Sequence, residues 1–206
     1  MITDNTYHRF DEAIKYFNDK LFEGKLPDIL LTLNRMKRTR GYHHFEKFQE
    51  REGKKRISEI ALNPDSFEGR SDEEVLSTLV HELCHHWQWS FGKPSRPGYH
   101  DREWASKMDE IGLCPTSTGE IEGKRTGQRM THIIVDGGKF EIACKAFLLK
   151  GSALYLNSVV EPKIEKERKK TREKFCCPTC LQAVWAKKTA NIMCGDCEEK
   201  MVVEDE

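Results

Sequence analysis

The chain has no apolar run near the ~18 residues a membrane span requires, no internal repeat and no excess of charge of either sign. Lys and Arg number 34, Asp and Glu also 34, which excludes a globally basic nucleic-acid binder and leaves only local patches. The opening stretch, Met1 to Phe10, is polar and lacks the apolar core of a secretion signal. The expectation is therefore a cytoplasmic, at most nucleoid-associated, monomer with no membrane partner. In a reducing compartment disulfides are rare, so the 8 cysteines need another role, and metal binding is the leading one. A length of 206 residues allows one domain of ordinary size and a small appendage.

Cys84, Cys114 and Cys144 stand singly, whereas Cys176, Cys177, Cys180, Cys194 and Cys197 crowd near the end. Cys177-Pro-Thr-Cys180 and Cys194-Gly-Asp-Cys197 are two C-x2-C pairs, each able to deliver two thiolates to one tetrahedral zinc. The stretch between the pairs suits a short hairpin that brings the two turns together. Cys176 could replace Cys177, but only Cys177 keeps the two-residue spacing. A four-cysteine zinc ribbon is thus expected over 175–206. Before it, 161–174 carries seven basic against four acidic residues and little apolar content, the pattern of a charged linker. That leaves 1–160 as the main domain.

Within that domain, Tyr7, Phe10, Ile14, Phe17 and Leu21 recur at helical spacing, so a helix is expected over 5–22. Ile29–Leu33, Gly41–Phe45 and Ile57–Leu62 read as three strands of a small antiparallel sheet. Ser71 followed by Glu74 is a capping box, opening a helix whose apolar side includes Val75, Leu76, Leu79, Val80, Leu83 and Trp87. Gly92, Pro94 and Pro97 force a loop before a shorter helix over Asp101–Ile111. Residues 113–128 read as irregular, Thr131–Val135 as a strand, and Phe140, Ala143, Cys144 and Phe147 as one side of a last helix ended by Gly151. The fold class is α+β.

The capped helix carries His81-Glu82-Leu83-Cys84-His85. Histidines four apart share a helical face, so both imidazoles reach one metal, and Glu82 beside the first is placed to move a proton. Zinc lowers the pKa of water from about 15.7 to about 7, and a carboxylate general base then completes amide hydrolysis. Two histidines and a glutamate in an otherwise apolar helix would be costly without such a purpose. A catalytic zinc takes three protein ligands and keeps one position open. His100 is the best third ligand, with Glu103 or Glu110 as the choices for a His2Glu site and Asp101 a weaker one. Gln88 and Phe91 exclude the longer pattern that needs glycine and histidine there. His86 points away as a packing or substrate-facing residue, and His43, His44 and His132 read as polar residues satisfied locally.

With Asn18, Leu21-Phe22, Leu26-Pro27, Ile60-Ala61-Leu62-Asn63-Pro64, the His81-Glu82-x-x-His85 helix and the terminal four-cysteine module, the chain resembles the SprT-like metallopeptidases. That family includes bacterial SprT proteins and the eukaryotic DNA–protein crosslink protease Spartan. His100 follows His85 at the family's typical distance, with Trp104 where the family has an aromatic residue and Asp101 where it often has glycine. The resemblance implies a zincin-like minimal metalloprotease domain, its HExxH helix packed on a small, mostly antiparallel sheet, with two zincs, one catalytic and one structural. It also implies a protein substrate that is DNA-associated or DNA-crosslinked. Residues themselves say less about DNA. Arg38 and Arg40 in one basic turn, Lys54 and Lys55 in another, and Trp185, Lys187 and Lys188 in the ribbon are candidate contacts with single-stranded or damaged DNA. The alternatives are a non-proteolytic nucleic-acid-associated zinc protein and a peptidase whose ribbon docks protein partners.

Overall fold

The structure, a computed structural model, describes residues 1–151, 154, 156 and 171–203. Of the expected charged linker, residues 161–170 lie outside the described residues. The chain divides into two compact units, Met1–Val160 and Glu161–Glu206.

In the first unit, α1 (Ile2–Leu21) starts three residues earlier than its apolar periodicity suggests and has no side-chain N-cap. Its inner face buries Phe10, Ala13, Phe17 and Leu21. Asn18 then closes the helix onto the following loop, its amide donating to the Leu26 carbonyl at 3.2 Å and its Oδ1 accepting from the Leu26 N–H at 3.0 Å. Strands β1 (Ile29–Leu33), β2 (Gly41–Gln49) and β3 (Arg56–Leu62) form a sheet in the order β1-β3-β2. The sheet is mixed rather than antiparallel: β2 and β3 form a hairpin, and β1 lies on the far side of β3, parallel to it. Adjacent strands in sequence suggest successive hairpins, but the β1–β2 connection crosses over instead. As the central strand, β3 ends in a continuous buried run, Ile60, Ala61 and Leu62. β2 also outruns the expected Phe45 because a bulge between His44 and Phe48, with Glu46 at positive φ, lets it bend and continue.

Helix α2 (Asp72–Phe91) packs across β2 and β3. Ser71 Oγ accepts from the Glu74 N–H at 3.2 Å while Glu74 returns the bond to the Ser71 N–H at 2.8 Å, the reciprocal capping box read from the sequence. Helix α3 (Arg102–Glu110) is capped by Asp101, whose carboxylate accepts from the Trp104 N–H. Strands β4 (Leu113–Thr116) and β5 (Thr131–Ile134) pair antiparallel. The first of these falls in the Gly-, Thr- and Ser-rich stretch 113–128 that reads as irregular, and it contains Pro115. Proline is tolerated here since β4 pairs on one side only. Helix α4 (Lys139–Leu149) completes the unit and packs on α1. The four α-helices among the described residues of this unit correspond to the four helical stretches read from the sequence.

That core is held at one end by aromatic rings. Phe17 stacks on Phe140 (5.6 Å between centroids) and tilts against Phe147 (5.7 Å), which also meets Tyr16. At the other end α3 inserts Trp104, Met108 and Ile111, all fully buried.

The second unit is a three-stranded antiparallel sheet, β7-β6-β8, from β6 (Glu173–Cys176), β7 (Ala183–Ala186) and β8 (Val202–Val203). Its small core contains Phe175, Cys177, Cys194 and Met201. Each C-x2-C pair turns in the same way: the Leu181 N–H returns to the Cys177 carbonyl and the Glu198 N–H to the Cys194 carbonyl, with Leu181 and Glu198 both at positive φ.

Phe17→Ala should lower the unfolding free energy of the first unit by about 3–5 kcal/mol, because three rings lose their shared partner and the site cannot collapse. Urea unfolding followed by far-UV circular dichroism measures it.

Candidate metal centre and cleft

The spacing of His81 and His85 on α2 places both imidazoles on one face, and the capped start of α3 brings His100 to them. One nitrogen from each ring lies within 4.8 Å of the other two. His81 Nε2 and His100 Nε2 are 3.3 Å apart, which matches the edge of a tetrahedron around a zinc with Zn–N of about 2.0–2.1 Å. His100 is held by its backbone as well as its ring. Its N–H and carbonyl both pair with Gly127, and its Nδ1–H donates to the same Gly127 carbonyl at 3.1 Å. A carbonyl only accepts, so the His100 proton is on Nδ1 and the Nε2 lone pair faces His81. Beneath the three rings lies Trp104, edge-on to His81 and His100 and stacked on His85.

Burial holds the pKa values of His81 and His85 well below the ordinary value, and mutual repulsion among the neighbouring imidazoles adds to it. His100 is lowered by burial too. The three rings are therefore neutral donors ready for a cation. Glu82, next to His81 in the sequence, lines the same cleft as the three histidines, and burial pushes its carboxyl up to about 8. Gly41 makes room for it. A side chain there would put its Cβ 3.2 Å from Glu82 Oε1 and 3.3 Å from Glu82 Cγ, tighter than ordinary contact.

The other candidate ligands are engaged elsewhere. Glu103 accepts from Gln88 Nε2 and the Lys93 N–H, Glu110 pairs with Lys107, and Asp101 caps α3 and accepts from Gln88. His86 is buried, donating through Nε2 to the Pro27 carbonyl at 3.1 Å and meeting His43 at 3.3 Å. His44 lies 3.9 Å from Glu59. His132 departs from the local role its sequence position suggests: its Nδ1 lies 3.2 Å from His81 Nδ1, across 51 residues of chain. Nothing in the sequence marks it, because it sits on β5 with no helical or C-x2-C spacing to either histidine. Burial, with Arg70 and Arg40 nearby, lowers its pKa to about 3.

These residues open into a cleft of about 740 Å³ lined by β2, α2 and the 94–100 loop. Phe45 and Trp89 form its apolar wall, stacked with centroids 3.3 Å apart.

In the second unit Cys177, Cys180, Cys194 and Cys197 bring their sulfurs within 4.8 Å of one another, with Cys180 and Cys194 at 3.6 Å. Four zinc-bound sulfurs would stand about 3.8 Å apart for Zn–S of about 2.3 Å, so the donor set fits. Backbone N–H groups of Cys180 and Thr179 lower Cys177 to about 7, whereas the hydrogen bond with Cys180 raises Cys197 to about 12. Sulfurs this close cannot all ionise unless a cation lies among them. Cys176 is outside the group of four. Trp185 faces solvent at 65% exposure, opposite Lys174 across the β6–β7 pair, with Lys187 and Lys188 just beyond.

Of the remaining basic residues, Arg38 and Arg40 lie in the β1–β2 turn, which Asn63 fastens through the Met36 and Thr39 carbonyls. Lys54 and Lys55 lie in the β2–β3 turn, and Lys55 is paired with Asp28 at 3.0 Å. The two turns sit at opposite ends of β2, on the order of 25–30 Å apart for a strand of nine residues, so they do not make one patch.

Comparison with known proteins agrees with this geometry. A 58-residue stretch is 45% identical to a protein of Salmonella typhimurium described as an uncharacterized protein in the mucB 3' region, covering 28% of this chain and 78% of that protein. The profile of the SprT-like family matches residues 10–126, from within α1 to beyond β4, and includes all three candidate histidine ligands and Glu82. The chain belongs to the SprT-like family.

Proposed function

We propose that this protein is a zinc-dependent endopeptidase that acts on DNA-associated or DNA-crosslinked proteins. The observation that carries the reading is the convergence of His81, His85 and His100, with one nitrogen of each within 4.8 Å of the others, and with Glu82 lining the same open cleft. SprT-like membership supports a metallopeptidase-type function. Zinc, when bound, polarises a carbonyl and acidifies water to a pKa of about 7. Glu82 takes the proton of the attacking water and delivers it to the leaving amine nitrogen. Burial raises its pKa, and a nearby cation would favour the carboxylate. Among the described residues β2 pairs only with β3, which leaves its other side as a sheet edge, and residues 41–45 line the cleft. Such an edge accepts an extended peptide as an added strand, presenting a substrate side chain to the Phe45–Trp89 wall. A flexible or unfolded segment meets that requirement better than a folded one.

The DNA part of the reading rests on the family resemblance and on the exposed Trp185 with Lys174, Lys187 and Lys188. An aromatic face flanked by cations stacks on single-stranded bases without sequence preference. Arg38, Arg40, Lys54 and Lys55 would add separate phosphate contacts. A monomer working in the cytoplasm or nucleoid suits this role, and no described helix is long and apolar enough to cross a membrane.

Zinc analysis tests the two centres separately. The protein should bind two equivalents, His85→Ala should lose one while keeping the ribbon metal, and Cys180→Ser should lose the other and unfold only the ribbon. Unchanged stoichiometry in His85→Ala would remove the histidine site. Activity is tested by cleavage of a DNA-bound protein with and without single-stranded DNA. Glu82→Gln should retain zinc and cleave at least about 100-fold more slowly. Stimulation by DNA supports the proposal; equal cleavage without it favours a ribbon that docks protein. No cleavage by the fully loaded wild type points to a binding factor.

A further inference from the structure

His81, His132, Ser77 and the Glu74 carbonyl form a chain of hydrogen bonds that runs from inside α2 to the metal-facing nitrogen. Ser77 Oγ lies 2.8 Å from the Glu74 carbonyl, His132 Nε2 lies 2.8 Å from Ser77 Oγ, and His132 Nδ1 lies 3.2 Å from His81 Nδ1. The carbonyl can only accept, so it takes the Ser77 hydroxyl proton. Ser77 Oγ then accepts from His132 Nε2–H. A neutral His132 with its proton on Nε2 leaves Nδ1 as an acceptor, and His81 must supply Nδ1–H to it. That leaves the Nε2 lone pair of His81 facing His100, where the histidine metal site lies. The reverse order would place a proton on His81 Nε2, between it and His100 Nε2, and close the site to a cation.

We infer that His132 is a positioning residue that sets the tautomer and ring orientation of His81 for metal binding, with Ser77 fixing His132 in turn. The inference rests on the histidine site being a metal site. Metal-binding histidines gain affinity from an acceptor on the far ring nitrogen, and losing such a partner typically costs about 10–100-fold. His100 has the equivalent partner in the Gly127 carbonyl. The histidine at position 81 differs in taking it from another side chain, and that side chain comes from β5, beyond residues 10–126 where the family match ends.

The test uses the full chain, with zinc affinity measured by chelator competition and the ribbon metal followed separately by protection of its thiols. His132→Leu removes the acceptor at similar volume, and His132→Asn restores an acceptor oxygen at the position of Nδ1. The expected result is a 10–100-fold weaker histidine site in His132→Leu, recovery to within about threefold of wild type in His132→Asn, and an unchanged ribbon. Nitrogen-15 spectra of the loaded protein should show His81 protonated at Nδ1 and His132 at Nε2. Unchanged affinity in His132→Leu, or equal losses in both variants, would overturn the inference, and the melting transition shows whether a loss follows unfolding. A wild type that binds zinc only at the ribbon would instead overturn the metal site itself.

Discussion

Three imidazoles can share one cation only if each brings a lone pair, and no proton, to the same point. In the first unit the surrounding structure is arranged to meet that condition. The helical repeat of α2 aligns His81 and His85, the Asp101 cap starts α3 so that His100 closes the triangle, and Trp104 supplies a rigid floor. The carbonyl of Gly127 removes the tautomeric freedom of His100. Burial lowers the ring pKa values and raises that of Glu82. Desolvation is thus a cost in the metal-free chain and an advantage once charge is supplied, because electrostatic interactions are stronger where water is excluded.

The second unit meets a similar demand by other means. Its apolar core is little more than Phe175, Met201 and two of the cysteines, too small to fold a module of this size without a metal or another cross-link. The two C-x2-C turns, with matching backbone bonds and a positive-φ residue after each, aim four sulfurs inward. Here the cysteines are a large part of the core. In the first unit Phe17, Phe140 and Phe147 belong to a large apolar core that does not consist of the candidate ligands.

The mixed sheet links fold to use. Because β1 takes the far side of β3, β2 is left, among the described residues, as an edge next to α2, and its residues 41–45 line the cleft. Gly41 at the start of β2 lets the strand approach the Glu82 carboxylate, so the same backbone segment frames this carboxylate and forms an edge of the sheet. The bulge after His44 carries Phe45 to the stacked wall with Trp89.

Much of this was legible in the residues alone, since local rules write themselves into spacing. The capping box at Ser71 and Glu74, the i,i+4 histidines, the paired C-x2-C turns and the aromatic periodicity of α1 each depend on neighbours within a few positions. The connectivity that makes β1 parallel to β3 does not, nor does β4, whose Pro115 is acceptable only because the strand has one paired side. His100 was already the best of the third-ligand candidates, and the structure gives Glu103, Glu110 and Asp101 other partners. His132 had no signal at all, for it meets His81 across 51 residues through a strand whose position is set by packing. Sequence by itself determined the chemistry available, because donor type and local spacing are properties of short segments. Which lone pairs face one another was decided only by the tertiary structure, because that depends on hydrogen bonds between segments that have no reason to meet until the core has formed.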